Sequence, residues 1–164
     1  MIRLKKVILN PISMFVIGLV LGIISRLLDI YTSNLGNIFS QMAIWILLGV
    51  IISIYSSSKK KAMINIFPFC IGMLITYYFV AYNTKGVYSN IFIIGWTIFA
   101  LFSPIMAYFA WMSKENGFFP KIISTGIILV SILSSIVLFD RLRVYDLLID
   151  GIMFYFLFIK KIER

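Results

Sequence analysis

The chain has 164 residues, of which 62% are hydrophobic and 13% charged, and its formal net charge is +9. Soluble domains carry roughly a quarter charged residues, so this composition excludes a soluble globular fold and predicts a polytopic membrane protein. The sequence contains no histidine and a single cysteine, Cys70, so the usual general base and the usual metal ligands are missing. We therefore expect no enzymatic activity, no metal site and no cofactor.

Six apolar segments are long enough to cross a bilayer core of about 30 Å, which takes roughly 20 helical residues. Helices are expected because a backbone in hydrocarbon must satisfy its own hydrogen bonds, and the segments lack the alternating pattern of barrel strands. Short connections favour antiparallel neighbours in one transmembrane domain covering residues 1–164, an all-α six-helix bundle. The predicted spans are residues 11–31, 38–57, 62–82, 88–112, 120–140 and 143–159.

The first segment carries small and charged residues on one helical face, because Gly18, Gly22, Ser25, Arg26 and Asp29 are three or four positions apart. The small-x-x-x-small pattern of the two glycines lets another helix approach closely, within the bundle or in a partner subunit. A cation inside a span costs about 3 kcal/mol unless it reaches the interface or a partner. Arg26 is therefore expected to have a partner.

The second and fourth segments add two further features. Gln41 and Trp45 are four apart on one face, deeper than an interfacial aromatic belt requires, and are expected to line a cavity. In the fourth segment, Ser103-Pro104 lies near mid-membrane, where the proline frees a backbone carbonyl. It is interpreted as a hinge or, more simply, as a static kink.

Cys70, in the third segment, is expected to be a small packing residue.

The sixth segment places Asp146 and Asp150 four apart on one face. Counted from the inner boundary at 1.5 Å per residue, both carboxylates and Arg26 lie about 15–21 Å deep. Side chains lean toward the N-terminus of their helix, which favours an Arg26–Asp150 pair if the first and last helices are neighbours. Two adjacent carboxylates need a cation, supplied by Arg26, a bound ion or a shared proton.

Two interpretations of the polar residues stay open. They form either an ion-paired network that locks the bundle or the wall of an outward-facing binding site. The candidate cluster comprises Arg26, Asp29, Gln41, Trp45, Asp146 and Asp150.

The distribution of lysine and arginine predicts the orientation. Four basic residues, Arg26, Lys85, Arg141 and Arg143, fall on one side of the predicted bundle. Eleven fall on the other: Arg3, Lys5, Lys6, Lys59, Lys60, Lys61, Lys114, Lys121, Lys160, Lys161 and Arg164. The positive-inside rule then places both termini in the cytoplasm of a multi-pass cell-membrane protein. Because orientation and anionic lipid account for these short basic clusters, no nucleic-acid binding is expected.

Two resemblances bear on function. Six short spans with both termini inside, a small-x-x-x-small first helix and an outer polar cluster resemble the topology of the substrate-capture subunits of energy-coupling-factor vitamin transporters. The stretch LLDIYTSNLGNIFSQMAIW and the composition rich in Ile, Lys and Asn resemble uncharacterised small membrane proteins of low-GC Gram-positive bacteria. The first resemblance implies capture of a solute, whereas the second implies no particular activity.

Two functions are therefore expected. The chain binds or helps to move a small polar solute from the outer face without catalysing a reaction. Alternatively, it is a non-catalytic accessory or assembly subunit, and the Gly18/Gly22 face of its first helix docks a partner membrane subunit or a second copy.

Overall fold

The computed structural model describes residues 9–39, 41–84, 90–139 and 142–162, and the regular secondary structure in these ranges is entirely helical. The prediction of an all-α fold is therefore confirmed for the described chain. The helices are α1 (Pro11–Tyr31), α2 (Ser33–Phe39), α3 (Met42–Tyr55), α4 (Lys59–Asn83), α5 (Asn90–Met112), α6 (Phe118–Phe139) and α7 (Val144–Phe154), which continues as a π-helical turn over Tyr155–Ile159.

Local sequence determines where several helices begin. Asn10 accepts a hydrogen bond from the Ser13 backbone N–H at 3.0 Å, and a proline occupies the first position of α1. Ser58 caps α4 in the same way, accepting from the Lys61 N–H at 3.2 Å. Between α5 and α6, Gly117 has a φ of 131°. Glycine adopts this conformation without the steric cost of a side chain, so it permits the short connection.

The second predicted segment is not one helix, which corrects the expectation for residues 38–57. Gln41 is extended, with φ −91° and ψ 148°, and separates α2 from α3. The physical reason is tertiary: the Gln41 side chain is fully buried against α7. Meanwhile α2 lies against α1, where Gly36 touches the backbone of Leu28 and Asp29. The remaining helix α3 is about 21 Å long at 1.5 Å per residue.

Helix α3 is the centre of the bundle. One side of it contributes Trp45 and Ile52 to a core shared with α1, α4 and α5. Its other side contributes Leu47 and Ile54 to a core shared with α5 and α7. A helix that is apolar around its whole circumference is expected to be buried in this way.

Contacts at the helix ends show how the helices alternate in direction. Lys59, at the start of α4, forms an ion pair of 3.0 Å with Glu115, just after α5. Lys114 donates to the carbonyls of Phe156 and Leu157 near the end of α7, at 3.1 and 3.0 Å. Near the start of α4, Asn65 donates to the Leu9 carbonyl, just before α1. The starts of α1, α4 and α6 therefore lie at the same end of the bundle as the ends of α3, α5 and α7.

We call this the basic end. The described basic residues that lie there are Lys59, Lys60, Lys61, Lys114, Lys121, Lys160 and Lys161.

The outer surface of the helices is suited to lipid. Helices α1, α4, α5 and α6 each contain a stretch long and apolar enough to cross a membrane. Large apolar side chains remain exposed along them, including Val16 at 50%, Phe79 at 68% and Val137 at 76%. A surface this apolar is rare on soluble monomers. It is therefore accounted for by contact with hydrocarbon.

Candidate functional site

A buried arginine lies between α1 and α4, far from the basic end. Arg26 is 4% exposed, and its Nη1 donates to Asp29 Oδ2 at 2.6 Å, one turn further along α1. Tyr77 of α4 donates its hydroxyl to the same carboxylate oxygen at 3.4 Å, and its ring centroid is 5.5 Å from Arg26 Cζ. We call Ser25, Arg26, Asp29 and Tyr77 the Arg26 centre. Its charges balance within the chain, and the aromatic ring adds a cation–π contact.

A small void adjoins the Arg26 centre. It has a volume of about 30 Å³ and is lined by Ser25 together with aromatic residues that include Trp45, Tyr77 and Trp96. Ser25 Oγ and Arg26 Nε are buried and have no hydrogen-bond partner among the described residues. A space of this size holds one or two water molecules, and the Ser25 hydroxyl on its wall would hydrogen-bond to them.

Trp45 forms one wall of this void. Its indole Nε1 donates to the Phe39 carbonyl at 2.9 Å, and the two rings meet edge to face with centroids 6.1 Å apart. The bond joins α3 to the end of α2 across the extended residue Gln41. Trp45 therefore holds the helix break in place as well as lining the void.

A second polar group lies where α3, α6 and α7 meet. Asp146 Oδ2 accepts from the Arg143 backbone N–H at 3.0 Å, which caps the start of α7. With its amide nitrogen turned toward α7, Gln41 donates to the Asp146 carboxylate and its oxygen accepts from Arg143 Nη1 at 3.0 Å. Hydrogen-bond partners decide such amide orientations. Asp146 is fully buried and held by two donors.

Asp150 is held differently. Ser131 of α6 donates to Asp150 Oδ1 at 2.6 Å, whereas Asp150 Oδ2 has no partner in the described part of the chain. Ser135, one turn along α6 from Ser131, is also buried with an unpaired hydroxyl. We call Gln41, Ser131, Ser135, Asp146 and Asp150 the acidic centre.

The structure separates the candidate cluster into these two centres, so the expected Arg26–Asp150 pair is wrong. Arg26 pairs with Asp29 on its own helix, and Asp150 bonds to Ser131. That prediction assumed that the first and last helices are neighbours. Instead, α1 packs along α4, whereas α7 packs on α3 and α6.

The two glycines of the first helix face into the bundle. A Cβ on Gly18 would lie 2.2 Å from the Phe69 carbonyl oxygen, and one on Gly22 would lie 2.2 Å from Thr76 Oγ1. Thr76 Oγ1 also donates to the Leu19 carbonyl at 2.7 Å, bonding α4 to α1. Because α4 covers this face, it is not available for docking a partner. The expectation that a partner docks there is therefore corrected.

An apolar groove opens between α5 and α6 toward the lipid side. It has a volume of about 430 Å³, and its floor includes Gly49 of α3 and Cys70 of α4. Ser103 lines it as well, donating to the Ala100 carbonyl at 2.7 Å, and α5 continues through Pro104 without interruption. The hinge at Ser103-Pro104 stays a prediction. At the rim of the groove, Ile122 is 51% exposed.

Sequence reasoning missed two features of these centres, the serines of α6 and Tyr77. The serines had a signal: Ser124, Ser131 and Ser135 are seven and four positions apart, so they share one face of α6. A buried line of hydroxyls on an otherwise apolar helix indicates a polar neighbour, here α7. Tyr77 had no such signal, because only its contact with α1 distinguishes it from the exposed Tyr82.

Helices long enough to span a bilayer, an apolar exterior and buried polar centres together define a membrane-embedded helical protein. The chain belongs to the family of unknown function DUF6518, whose model matches residues 1–132. The matched region includes the Arg26 centre and Ser131, and it ends before α7 with Asp146 and Asp150. No curated protein and no solved structure matches the chain. The family description names no activity.

Proposed function

We propose that this chain is a six-span cell-membrane protein, with both termini in the cytoplasm, that binds a small polar solute at the Arg26 centre without catalysing a reaction. The basic end supports this orientation, since lysine and arginine collect on the cytoplasmic side of membrane proteins. The Arg26 centre then lies in the outer half of the bundle. A solute reaches it from outside.

Helices α3 and α7 complete the six spans although each is shorter than a bilayer core. Trp111 Nε1 donates to the Ser56 carbonyl at 2.9 Å, so α3 ends level with α5. Lys114 fixes the end of α7 at the same level. The chain on either side of α3 is anchored by buried polar contacts at Gln41 and Ser56, which allows a shorter helix to bridge the two levels.

The observation that carries the proposal is the buried, unpaired Ser25 hydroxyl on the wall of the void, together with the adjacent Arg26, whose Nε is also buried and has no partner among the described residues. Buried polar groups without partners are costly, and in membrane helices such groups commonly belong to substrate pathways. Arg26 Nε–H offers a donor, and the Ser25 hydroxyl both donates and accepts. Their ligand is therefore a compact polar group carrying at least one hydrogen-bond acceptor.

The small volume of the void indicates that the solute site is closed in this structure. About 30 Å³ accommodates water but not a larger solute. Tyr77 and Trp96 border the void from α4 and α5, so binding of a larger solute requires one of these helices to move outward. The adjoining rings provide apolar walls, as is usual for small-molecule sites.

Analysis of the small molecules released by the purified protein tests this function. Wild-type protein, purified in mild detergent and then denatured, is expected to release one polar compound in stoichiometric amount. Ser25→Val removes the unpaired hydroxyl and fills the void, so release should fall by about tenfold, equivalent to about 1.4 kcal/mol. Thr97→Val is the control, because the Thr97 hydroxyl is exposed and bonds only within its own helix.

Two results would contradict a solute site here. One is equal release from Ser25→Val and wild type. The other is the absence of any released compound from folded wild-type protein purified without a solute-depleting wash.

The accessory role is a second candidate function, supported by the apolar groove rather than by the first helix. A groove lined by small residues such as Gly49, Ala107 and Gly126 allows a partner helix to approach closely. Gly126→Leu should reduce photo-crosslinking of a partner membrane subunit at Ile122, whereas Gly151→Leu, on the lipid-facing side of α7, should not. A crosslink between two copies of the chain would identify a homo-oligomer instead.

A further inference from the structure

The acidic centre is buried deeply for a group that contains two carboxylates. Gln41, Ser131, Ser135 and Asp146 are each 0% exposed, and Asp150 is 6% exposed. In a membrane protein such a group is retained only if its charge is balanced and its polar atoms have partners. The partners of the two aspartates therefore have to be considered in turn.

Asp146 is compensated by its surroundings. It lies in the first turn of α7, where the unpaired N–H groups of the helix stabilise a negative charge. The Arg143 backbone N–H and the Gln41 amide both donate to its carboxylate. The guanidinium of Arg143 donates to the Gln41 oxygen. Gln41 therefore bridges this positive charge and the Asp146 carboxylate.

Asp150 lacks this compensation. It lies a full turn further along α7, beyond the reach of the helix N-terminus. Among the described residues it accepts one hydrogen bond, from the neutral Ser131 hydroxyl, and its Oδ2 has no partner there. Arg26, the cation that the sequence predicted as the partner of Asp150, is paired with Asp29 instead. Within the described part of the chain, one negative charge in the acidic centre thus remains to be balanced.

The unpaired hydroxyl of Ser135 is the second observation that indicates a ligand here. Helices α6 and α7 run antiparallel and Ser131 bonds to Asp150, so Ser135, one turn further along the same face of α6, is level with Asp146, one turn back along α7. Because helical side chains lean toward the N-terminus of their own helix, the Ser135 hydroxyl and the Asp150 carboxylate lean toward each other. Ser135 is completely buried and its Oγ has no partner among the residues described. A carboxylate oxygen and hydroxyl oxygens are hard ligands of the kind that bind alkali cations.

We propose that the acidic centre binds one monovalent alkali cation, held by Asp150 Oδ2 and the hydroxyl oxygens of Ser131 and Ser135. A single positive charge matches the single uncompensated carboxylate. No cluster of three acidic, cysteine or histidine side chains occurs in the described ranges, which is unfavourable for a divalent or transition metal. The cation site does not depend on a solute at the Arg26 centre.

Thermal unfolding in detergent, with Na⁺ as the probe, tests the cation site. The Na⁺ is exchanged for N-methylglucamine at constant ionic strength, so that screening does not change. The unfolding temperature of the wild type should rise with Na⁺ and saturate, because the cation binds only the folded state. Asp150→Asn keeps a partner for Ser131 and removes the unbalanced charge. This variant should be more stable than wild type without Na⁺ and should not respond to Na⁺.

Two serine variants separate coordination from general effects of mutation. Ser135→Ala should raise the half-saturating Na⁺ concentration by about tenfold, equivalent to about 1.4 kcal/mol for one lost ligand. Ser124→Ala is the matched control, because Ser124 is a buried serine on the same face of α6 whose hydroxyl donates to the Pro120 carbonyl. It should leave the Na⁺ response unchanged.

Three outcomes would overturn the cation site. Wild-type stability could be independent of Na⁺, Asp150→Asn could keep the Na⁺ response, or Ser124→Ala and Ser135→Ala could change it equally. A stability that depends on pH but not on Na⁺ would show that a proton, not an alkali cation, neutralises Asp150.

Discussion

At the scale of single residues, the chain balances a membrane-embedded arginine locally. The Arg26 side chain is 5% exposed, whereas the Asp29 side chain, one turn away, is 31% exposed. The pair therefore joins a buried cation to an anion that water or lipid headgroups can reach. Substitutions of the two residues should therefore lower stability by different amounts, because the charged group left behind is buried in one case and accessible in the other.

A double-mutant cycle on Arg26 and Asp29 measures this inequality. Asp29→Asn leaves the buried guanidinium without a counter-ion and should cost on the order of 2–3 kcal/mol of unfolding free energy. Arg26→Gln leaves only an accessible carboxylate and should cost less. The double variant should be more stable than the sum of the single effects predicts, with a coupling of about 1 kcal/mol or more. Unfolding of all four proteins in detergent provides the free energies.

The Lys59–Glu115 pair is the control for that cycle. Its side chains are 34% and 37% exposed, so the same cycle with Lys59→Gln and Glu115→Gln should give a coupling of about 0.2–1 kcal/mol. Equal couplings for the two pairs would show that burial of Arg26 does not strengthen its ion pair.

At the scale of helices, α1 and α4 are the most closely joined elements. Besides the contacts of Gly18 and Gly22, Gly72 of α4 is close to α1, because a Cβ there would lie 2.7 Å from the Phe15 carbonyl oxygen. Small residues on both helices thus bring the two backbones together, as is typical of membrane helices. This seam holds Tyr77 next to Arg26 and therefore positions the Arg26 centre.

Two glycine-to-alanine variants test the close α1–α4 contact, because they are expected to change stability in opposite directions. Gly18→Ala forces a methyl group against the backbone of α4, so the helices must separate, and the unfolding temperature should fall markedly. At Gly95 a Cβ would meet nothing within 4 Å, so Gly95→Ala should be stabilising by about 0.5–1 kcal/mol through reduced backbone entropy. A similar shift in both variants would mean that the α1–α4 contact is loose.

The long apolar helices were predictable, because hydrophobic length alone defines them, whereas the short helix α2 was not. The Asn10-Pro11 start of α1 and the common face of Asp146 and Asp150 also follow from local spacing. What could not be predicted depends on which helices are neighbours. The break at Gln41 arises because α7 binds its side chain. Whether Arg26 meets Tyr77 of α4 or Asp150 of α7 depends on which of these helices lies beside α1. A single sequence gives helix faces but not their pairing.

At the scale of the whole molecule, the two ends of the bundle differ in chemistry. The basic end collects seven described lysines. The opposite end holds Arg26 and Arg143 among the described basic residues, together with Asp29, Asp146 and Asp150. The Arg26 centre and the acidic centre both belong to this second end. The orientation of the chain therefore decides which side of the membrane both candidate sites face.

Labelling of single cysteines in intact cells tests the orientation. In a Cys70→Ala background, Asn83→Cys at the exposed end of α4 should react with a membrane-impermeant thiol reagent added outside, because that end lies opposite the basic end. Ser57→Cys, exposed between α3 and α4 at the basic end, should react only after permeabilisation. Labelling of both variants in permeabilised cells controls for intrinsic reactivity. The reverse pattern would place the lysines outside, contradict the positive-inside assignment and turn both candidate sites toward the cytoplasm.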